Sequence, residues 1–175
     1  MLAGMVQIDR GRVLGLLVAP YSGLPAGSVR ALIGSVEEVI TIENLTTFRS
    51  EAKRRCDSAM LVIFTGGMPS PPPPAWCAMY RRLLKNVPAA AEVLHWGDVD
   101  EGGFRIASRI AEIARASGHI LKPYRMSPDD VLEEFRVQAT VATLLRMERY
   151  AAAAGWVDLA REIGAAGFTG EQEAL

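Results

Sequence analysis

The feature that most constrains how this chain can fold is a pattern repeated three times between residues 36 and 118. Each time, a short apolar run leads through a turn into a stretch with apolar positions at helical spacing. The runs are 36–43, carrying Val36, Val39, Ile40 and Ile42, then 60–64, Met-Leu-Val-Ile-Phe, and 92–96, which ends on His95 and Trp96. Continuous apolar runs, rather than alternating ones, mark strands buried on both faces, and strands interleaved with helices pair in parallel. The helical stretches are 45–55, with Leu45, Phe48 and Ala52 on one side, 75–86, and 103–117, with Ile106, Ile110, Ile113 and Ala114 before Gly118. Residues 120–124 supply a fourth, edge-like strand limited by Pro123. The expectation is an α/β fold: a parallel four-stranded sheet with helices on both faces.

Around that core the chain divides three ways. Residues 1–35 form an N-terminal strand and loop segment, with a strand over 12–19 and loop chemistry over 20–27, and could be the remnant of an upstream domain. Residues 36–126 are the core. Residues 127–175 read as a helical extension packing on it: a capped start at Ser127-Pro128-Asp129-Asp130, a long helix to about residue 153, a break at Gly155, and a shorter helix. The four prolines at 71–74 favour polyproline II, as a crossover loop between strand and helix more readily than as a ligand for a proline-binding partner. No internal repeat is visible.

Composition excludes more than it suggests. Net charge is −1, so any nucleic-acid binding must come from local basic patches. The longest apolar run, 13–19, is too short to cross a bilayer and lacks the flanks of a signal peptide, so no membrane association is expected. Cys56 and Cys77 are two unclustered thiols, which fits a cytoplasmic protein and argues against a zinc site or a disulfide framework.

The chemistry concentrates where strands end. The first run stops on Glu43-Asn44 and the third continues into Gly97-Asp98-Val99-Asp100-Glu101-Gly102-Gly103. In parallel sheets ligands collect at the carboxyl ends of strands, so Glu43, Asp98 and Asp100 are expected on one rim. If Asp98 and Asp100 continue the strand, they lie about 6.6 Å apart on one side and repel by roughly 2.5 kcal/mol at an effective dielectric near 20. A proton or a cation must relieve that, and an all-carboxylate donor set selects Mg²⁺, with Mn²⁺ able to substitute. Gly102 and Gly103 let backbone approach a ligand, and the helix after them favours anions. Read alone, Asp-x-Asp before a helix is more often turn and capping chemistry, and only the second strand ending on Glu43-Asn44 brings the two readings level.

The finer motifs carry a resemblance. Thr41-Ile42-Glu43-Asn44-Leu45-Thr46-Thr47-Phe48, Thr65-Gly66-Gly67-Met68-Pro69-Ser70, His95-Trp96-Gly97-Asp98-Val99-Asp100 and Glu171-Gln172-Glu173 resemble the C-terminal Toprim domain of JetD, the Wadjet anti-plasmid nuclease subunit. That domain is Rossmann-like and related to Toprim domains of topoisomerases and primases. The resemblance implies Glu43, Asp98 and Asp100 as catalytic and metal-binding acids, with Glu43 alternatively a general acid or base, and Glu171 or Glu173 folding back as further ligands. Asn44, Gly66, Gly67, Gly102, Gly103 and Arg105, by their place at the same rim, are the candidate phosphate contacts. The resemblance further implies Mg²⁺-dependent cleavage of plasmid DNA by a metal-activated water, alongside a condensin-like SMC complex, with a homodimer possible. Tyr21, Tyr80, Tyr124 and Tyr150 match no tyrosine-nucleophile motif.

Other polar residues have structural readings beside functional ones. Arg49, Lys53, Arg54 and Arg55, and Arg81, Arg82 and Lys85, are solvated helix faces or phosphate contacts. His95 reads as a packed, hydrogen-bonded histidine, Trp96 as core, and His119 as surface. The alternative to a nuclease is a non-catalytic DNA-sensing or docking module of a larger topoisomerase-like or SMC-like assembly.

Overall fold

The computed structural model describes residues 1–8, 13–14, 20–55, 58–68 and 72–171, with backbone pairing alone at 13–14. The central sheet contains β1 (Leu2–Ala3), β5 (Glu38–Ile42), β6 (Met60–Phe64), β7 (Glu92–Trp96) and β8 (Leu121–Pro123), in the spatial order β1-β6-β5-β7-β8. β6, β5, β7 and β8 are parallel, as expected. The sheet has five strands rather than four, because Leu2 and Ala3 add an antiparallel edge against Ile63 and Val62. The rest of the N-terminal segment builds a small antiparallel sheet from β2 (Val6–Ile8), β3 (Val13–Leu14) and β4 (Val29–Leu32). Of the strand expected over 12–19, only Val13–Leu14 falls within the described residues.

Register explains why the strand sequences are apolar throughout. Thr41 stands between Ile63 and His95, and Ile42 between Phe64 and Trp96. Side chains alternate between faces. Ile40, Ile42, Val62, Leu94 and Trp96 pack with Phe48 and Ala52 of α1 (Leu45–Arg54). On the other face Val39, Leu61, Ile63 and Val93 meet Tyr80 and Leu83 of α2 (Pro74–Leu84) and Phe104, Ile106 and Ile110 of α3 (Glu101–Ala116). Each large apolar side chain so enclosed stabilises the fold by about 1.5–3 kcal/mol. Pro74 opens α2 at a position where its missing N–H costs nothing.

The C-terminal segment departs from the long helix expected over 127–153. Ser127 and Asp130 close a capping box around a single 3-10 turn, Pro128–Asp130, and a second such turn follows at Glu133–Phe135. Then β9 (Arg136–Gln138) pairs antiparallel with β10 (Phe168–Gly170). The helix proper, α4 (Val141–Ala154), starts only where Thr140 Oγ1 accepts from Thr143 N. Met147, Ala151 and Ala154 of α4 join the core beside α3. α5 (Val157–Ala166) follows, and Gly155 (φ +95°) and Gly167 (φ +78°) end the two helices in the left-handed conformation that glycine adopts without penalty. Among the described residues no helix is long and apolar enough to cross a membrane.

Candidate acidic site

β5 carries Glu43 to the carboxyl rim at the centre of the sheet. Glu43 N donates to Trp96 O (3.0 Å), and Thr65 N donates to Ile42 O (2.8 Å), so the rim is tied on both sides of β5. The next residue serves α1: Asn44 Oδ1 accepts from the backbone N–H groups of Thr46 (2.8 Å) and Thr47 (3.1 Å).

Asp98 and Asp100 do not continue β7, as the two-residue strand spacing assumed. The strand stops at Trp96, and Val99 turns to exchange backbone hydrogen bonds with Gly170. Asp100 then caps α3, its Oδ1 accepting from Gly103 N at 2.7 Å. The capping reading is therefore realised for Asp100, and its carboxylate stands at the helix N-terminus expected to favour an anion. Gly103 is required by close packing: a Cβ there would collide with the Asp98 carbonyl oxygen, while one on Gly102 would press on the Asp100 carboxylate.

The acids nonetheless meet electrostatically. Glu43 is pushed up to about 7, first by burial and then by the charges of Asp98 and Asp100. A hydrogen bond from the Asp98 backbone and the Arg105 guanidinium work the other way. Glu43 Oε2 is buried without a hydrogen-bond partner.

His95 lies beneath this rim, fully buried. Thr41 Oγ1 lies 3.0 Å from Leu94 O and 2.7 Å from His95 Nδ1, so the hydroxyl and the ring share one hydrogen-bond chain in which the imidazole tautomer sets which atom donates. Nε2 is also buried without a partner, and burial holds the ring neutral down to about 3. A Cβ on Gly97 would lie 2.9 Å from His95 Nε2 and 3.0 Å from Glu43 Oε2. Two unpartnered polar atoms thus border one small space that exists because residue 97 has no side chain. Sequence reading passed over Gly97, since only the fold brings residues 43 and 95 to either side of it.

The donor set, carboxylates alone, is of the type a hard divalent cation takes. Its carboxylates repel one another, and one orphaned oxygen awaits a proton or an ion. Among the described residues, no three His, Cys, Asp or Glu side chains are gathered closely enough to enclose an ion as they stand.

The remaining site residues separate by position. Gly66 (φ +58°) and exposed Gly67 follow β6 at the same rim. Arg105, in the second turn of α3, donates to Met68 O at 3.3 Å. Glu171 is exposed and directly follows Gly170 at the Asp98–Asp100 loop, while Glu173 lies outside the described residues. Lys53, Arg54, Arg81, Arg82 and Lys85 sit in or just past the last turns of α1 and α2, towards the amino ends of the strands. There Arg55 pairs with Glu38 at the start of β5, and Arg54 and Arg55 both pair with Glu51. Arg82 donates to Val29 O and Ala26 O. His95 and Trp96 are buried as read from the sequence. His119, expected at the surface, is buried, its Nε2 3.1 Å from Leu84 O, because Gly118 turns the chain back under α2.

A mostly parallel sheet covered on both faces, with carboxylates collected where two adjacent strands end, defines an α/β protein with an acidic carboxyl-edge site. The family model described as Wadjet protein JetD, C-terminal, matches residues 16–152, and the chain belongs to that family, a component of the Wadjet defence system. No curated protein matches the chain.

Proposed function

We propose that the chain is a Toprim-type DNA-cleaving domain, dependent on Mg²⁺, that hydrolyses phosphodiester bonds for a plasmid-defence assembly. The observation that carries this reading is the state of Glu43. A carboxylate at the end of the central strand has its acidity moved close to neutral by burial and by Asp98 and Asp100. That is the range in which a proton can be both taken up and returned during catalysis. Glu43, Asp98 and Asp100 would hold the cation, with Glu171 next to them in the chain's path. Bound there, a divalent cation supplies Lewis acidity to a phosphate and acidifies water. Glu43 holds or releases a proton at Oε2, Asp100 fixes the start of α3, and Arg105 offers a guanidinium to a phosphate oxygen. DNA is the substrate this reading names, and a condensin-like SMC complex is the partner that would present it.

The capping role of Asp100 favours a second reading, a DNA-sensing or docking module in which the acids serve structure alone. Supercoiled plasmid incubated with Mg²⁺ or Mn²⁺ separates the two. Nicking that disappears in Asp98→Asn and Glu43→Gln supports the nuclease. DNA binding without cutting, unchanged in both variants, supports the docking module.

A further inference from the structure

A groove of about 500 Å³ begins at Arg105, beside the acidic rim, and runs between α3 and α4. Arg105, Arg109 and Arg115 line it from α3 and Arg149 from α4, with Glu112 as its one acid. Four guanidinium groups against one carboxylate make a local excess of positive charge on a chain whose net charge is −1. Positions 105, 109, 112 and 115 recur at three- and four-residue steps, so they share one face of α3. From Arg105 to Arg115 that face extends about 15 Å, at 1.5 Å per residue. This spans about four phosphates of one strand at 3.4 Å each along a duplex axis.

The arginines are held but not consumed. The Arg149 guanidinium lies 5.0 Å from the centre of the Tyr150 ring, and Arg115 reaches Ala153 O at 3.3 Å. Arg109 pairs with Glu112 at 2.6 Å, both side chains more than half exposed. Such an exposed pair is worth little and exchanges readily for a stronger anion. A carboxylate-bearing peptide would satisfy the charge, but guanidinium groups strung along a groove that leads to an acidic rim suit the successive phosphates of a backbone.

We infer that the α3–α4 groove is the track along which a nucleic-acid backbone lies as it enters the acidic site. The inference rests on the proposed nuclease reading for its direction, and on the arginines for its existence. The test is binding of a short labelled duplex to the whole chain across a salt series, for wild type, R109A/R149A, R109K/R149K and D98N. Polyglutamate is added as competitor, and melting is recorded for each variant. Two lost phosphate contacts lower the slope of log affinity against log salt by about 1.8, at roughly 0.9 each. The lysine variant keeps the slope.

An alanine variant that melts as wild type does but binds with unchanged slope overturns the groove while leaving the acidic site intact. Displacement by polyglutamate at DNA-equivalent charge, or no duplex binding by wild type, also overturns it. If D98N cuts plasmid as wild type does while R109A/R149A loses affinity, the acidic-site reading fails and the groove stands.

Discussion

Val99 and Gly170 exchange two backbone hydrogen bonds, Val99 N to Gly170 O at 2.8 Å and Gly170 N to Val99 O at 2.9 Å. This single bridge fixes the residue between the two aspartates from outside the strand–helix unit that carries them. Gly170 can approach so closely only without a side chain, since a Cβ there would run into Val131 Cγ1. Gly170→Val should therefore lift the C-terminal strand from the loop and cost about 1–3 kcal/mol of stability, the usual range for overpacking. Amide hydrogen exchange at Val99 is the sensitive measurement. Val99 should lose protection well before Ile106 and Ile110, deep in α3, and equal protection in both proteins would count against the bridge as the loop's anchor.

Gly97 offers a sharper probe of the acids. Adding one methyl places carbon within 3.0 Å of both His95 Nε2 and Glu43 Oε2, and both atoms are buried. Gly97→Ala should fold, melt modestly lower, and lose its response to Mn²⁺, because Glu43 must swing aside. Thermal melting with and without Mn²⁺ reads both effects at once. An alanine variant with an undiminished response would separate Glu43 from the ion.

What the sequence made legible was local. Strands 60–64 and 92–96 appear with the bounds read from their apolar runs, and Asn44 caps α1 as its residue type predicts. The helix expected over 127–153 begins only at Val141, because β9 owes its existence to β10, some thirty residues later, and pairing at that distance leaves no periodicity in either strand. The edge strand at Leu2–Ala3 is likewise set by Val62 and Ile63. In the site, the carboxyl-edge rule brings Glu43 to the aspartates and Arg105 is legible from its place after them, while Gly97 and the arginines at 109, 115 and 149 show their place only once the helices are packed. The basic sets easiest to see in sequence, on α1 and α2, lie towards the other end of the sheet, since a helix following a parallel strand runs back towards that strand's start.

Divalent ion should stabilise the protein, and more so at higher pH. An ion at one hundred times its dissociation constant adds about 2.7 kcal/mol, which for a domain of this size raises the melting temperature by about 5–10 °C. Binding must displace the proton that Glu43 retains up to about 7, so the shift at pH 8 should exceed that at pH 5.5. Asp98→Asn should abolish most of it. A shift independent of pH, or one that survives in Asp98→Asn, would place the ion elsewhere.

Without divalent ion, Glu43 and His95 should titrate against each other. Glu43 has its pKa raised in the fold from 4.5 to about 7, so its stabilising contribution is complete below 4.5 and is lost as pH rises through 7. His95 is lowered from 6.5 to about 3, so its contribution is complete above 6.5 and is lost as pH falls towards 3. Between 4.5 and 6.5 the unfolded chain holds a proton on the imidazole and none on the carboxylate, and the folded chain the reverse. Proton counts are then equal, and these two groups give stability no slope. Glu43→Gln removes one side of that balance. Its stability should rise across the window by about 1.4 kcal/mol per pH unit, the value of a single proton's difference. At pH 8 the same variant should unfold at higher denaturant than wild type, since it no longer holds a charge beside Asp98 and Asp100. Denaturant unfolding at pH 5, 6, 7 and 8 measures both effects. Parallel pH profiles for the two proteins would show that Glu43 is ionised in the fold at pH 6 and that burial and the aspartates do not govern it.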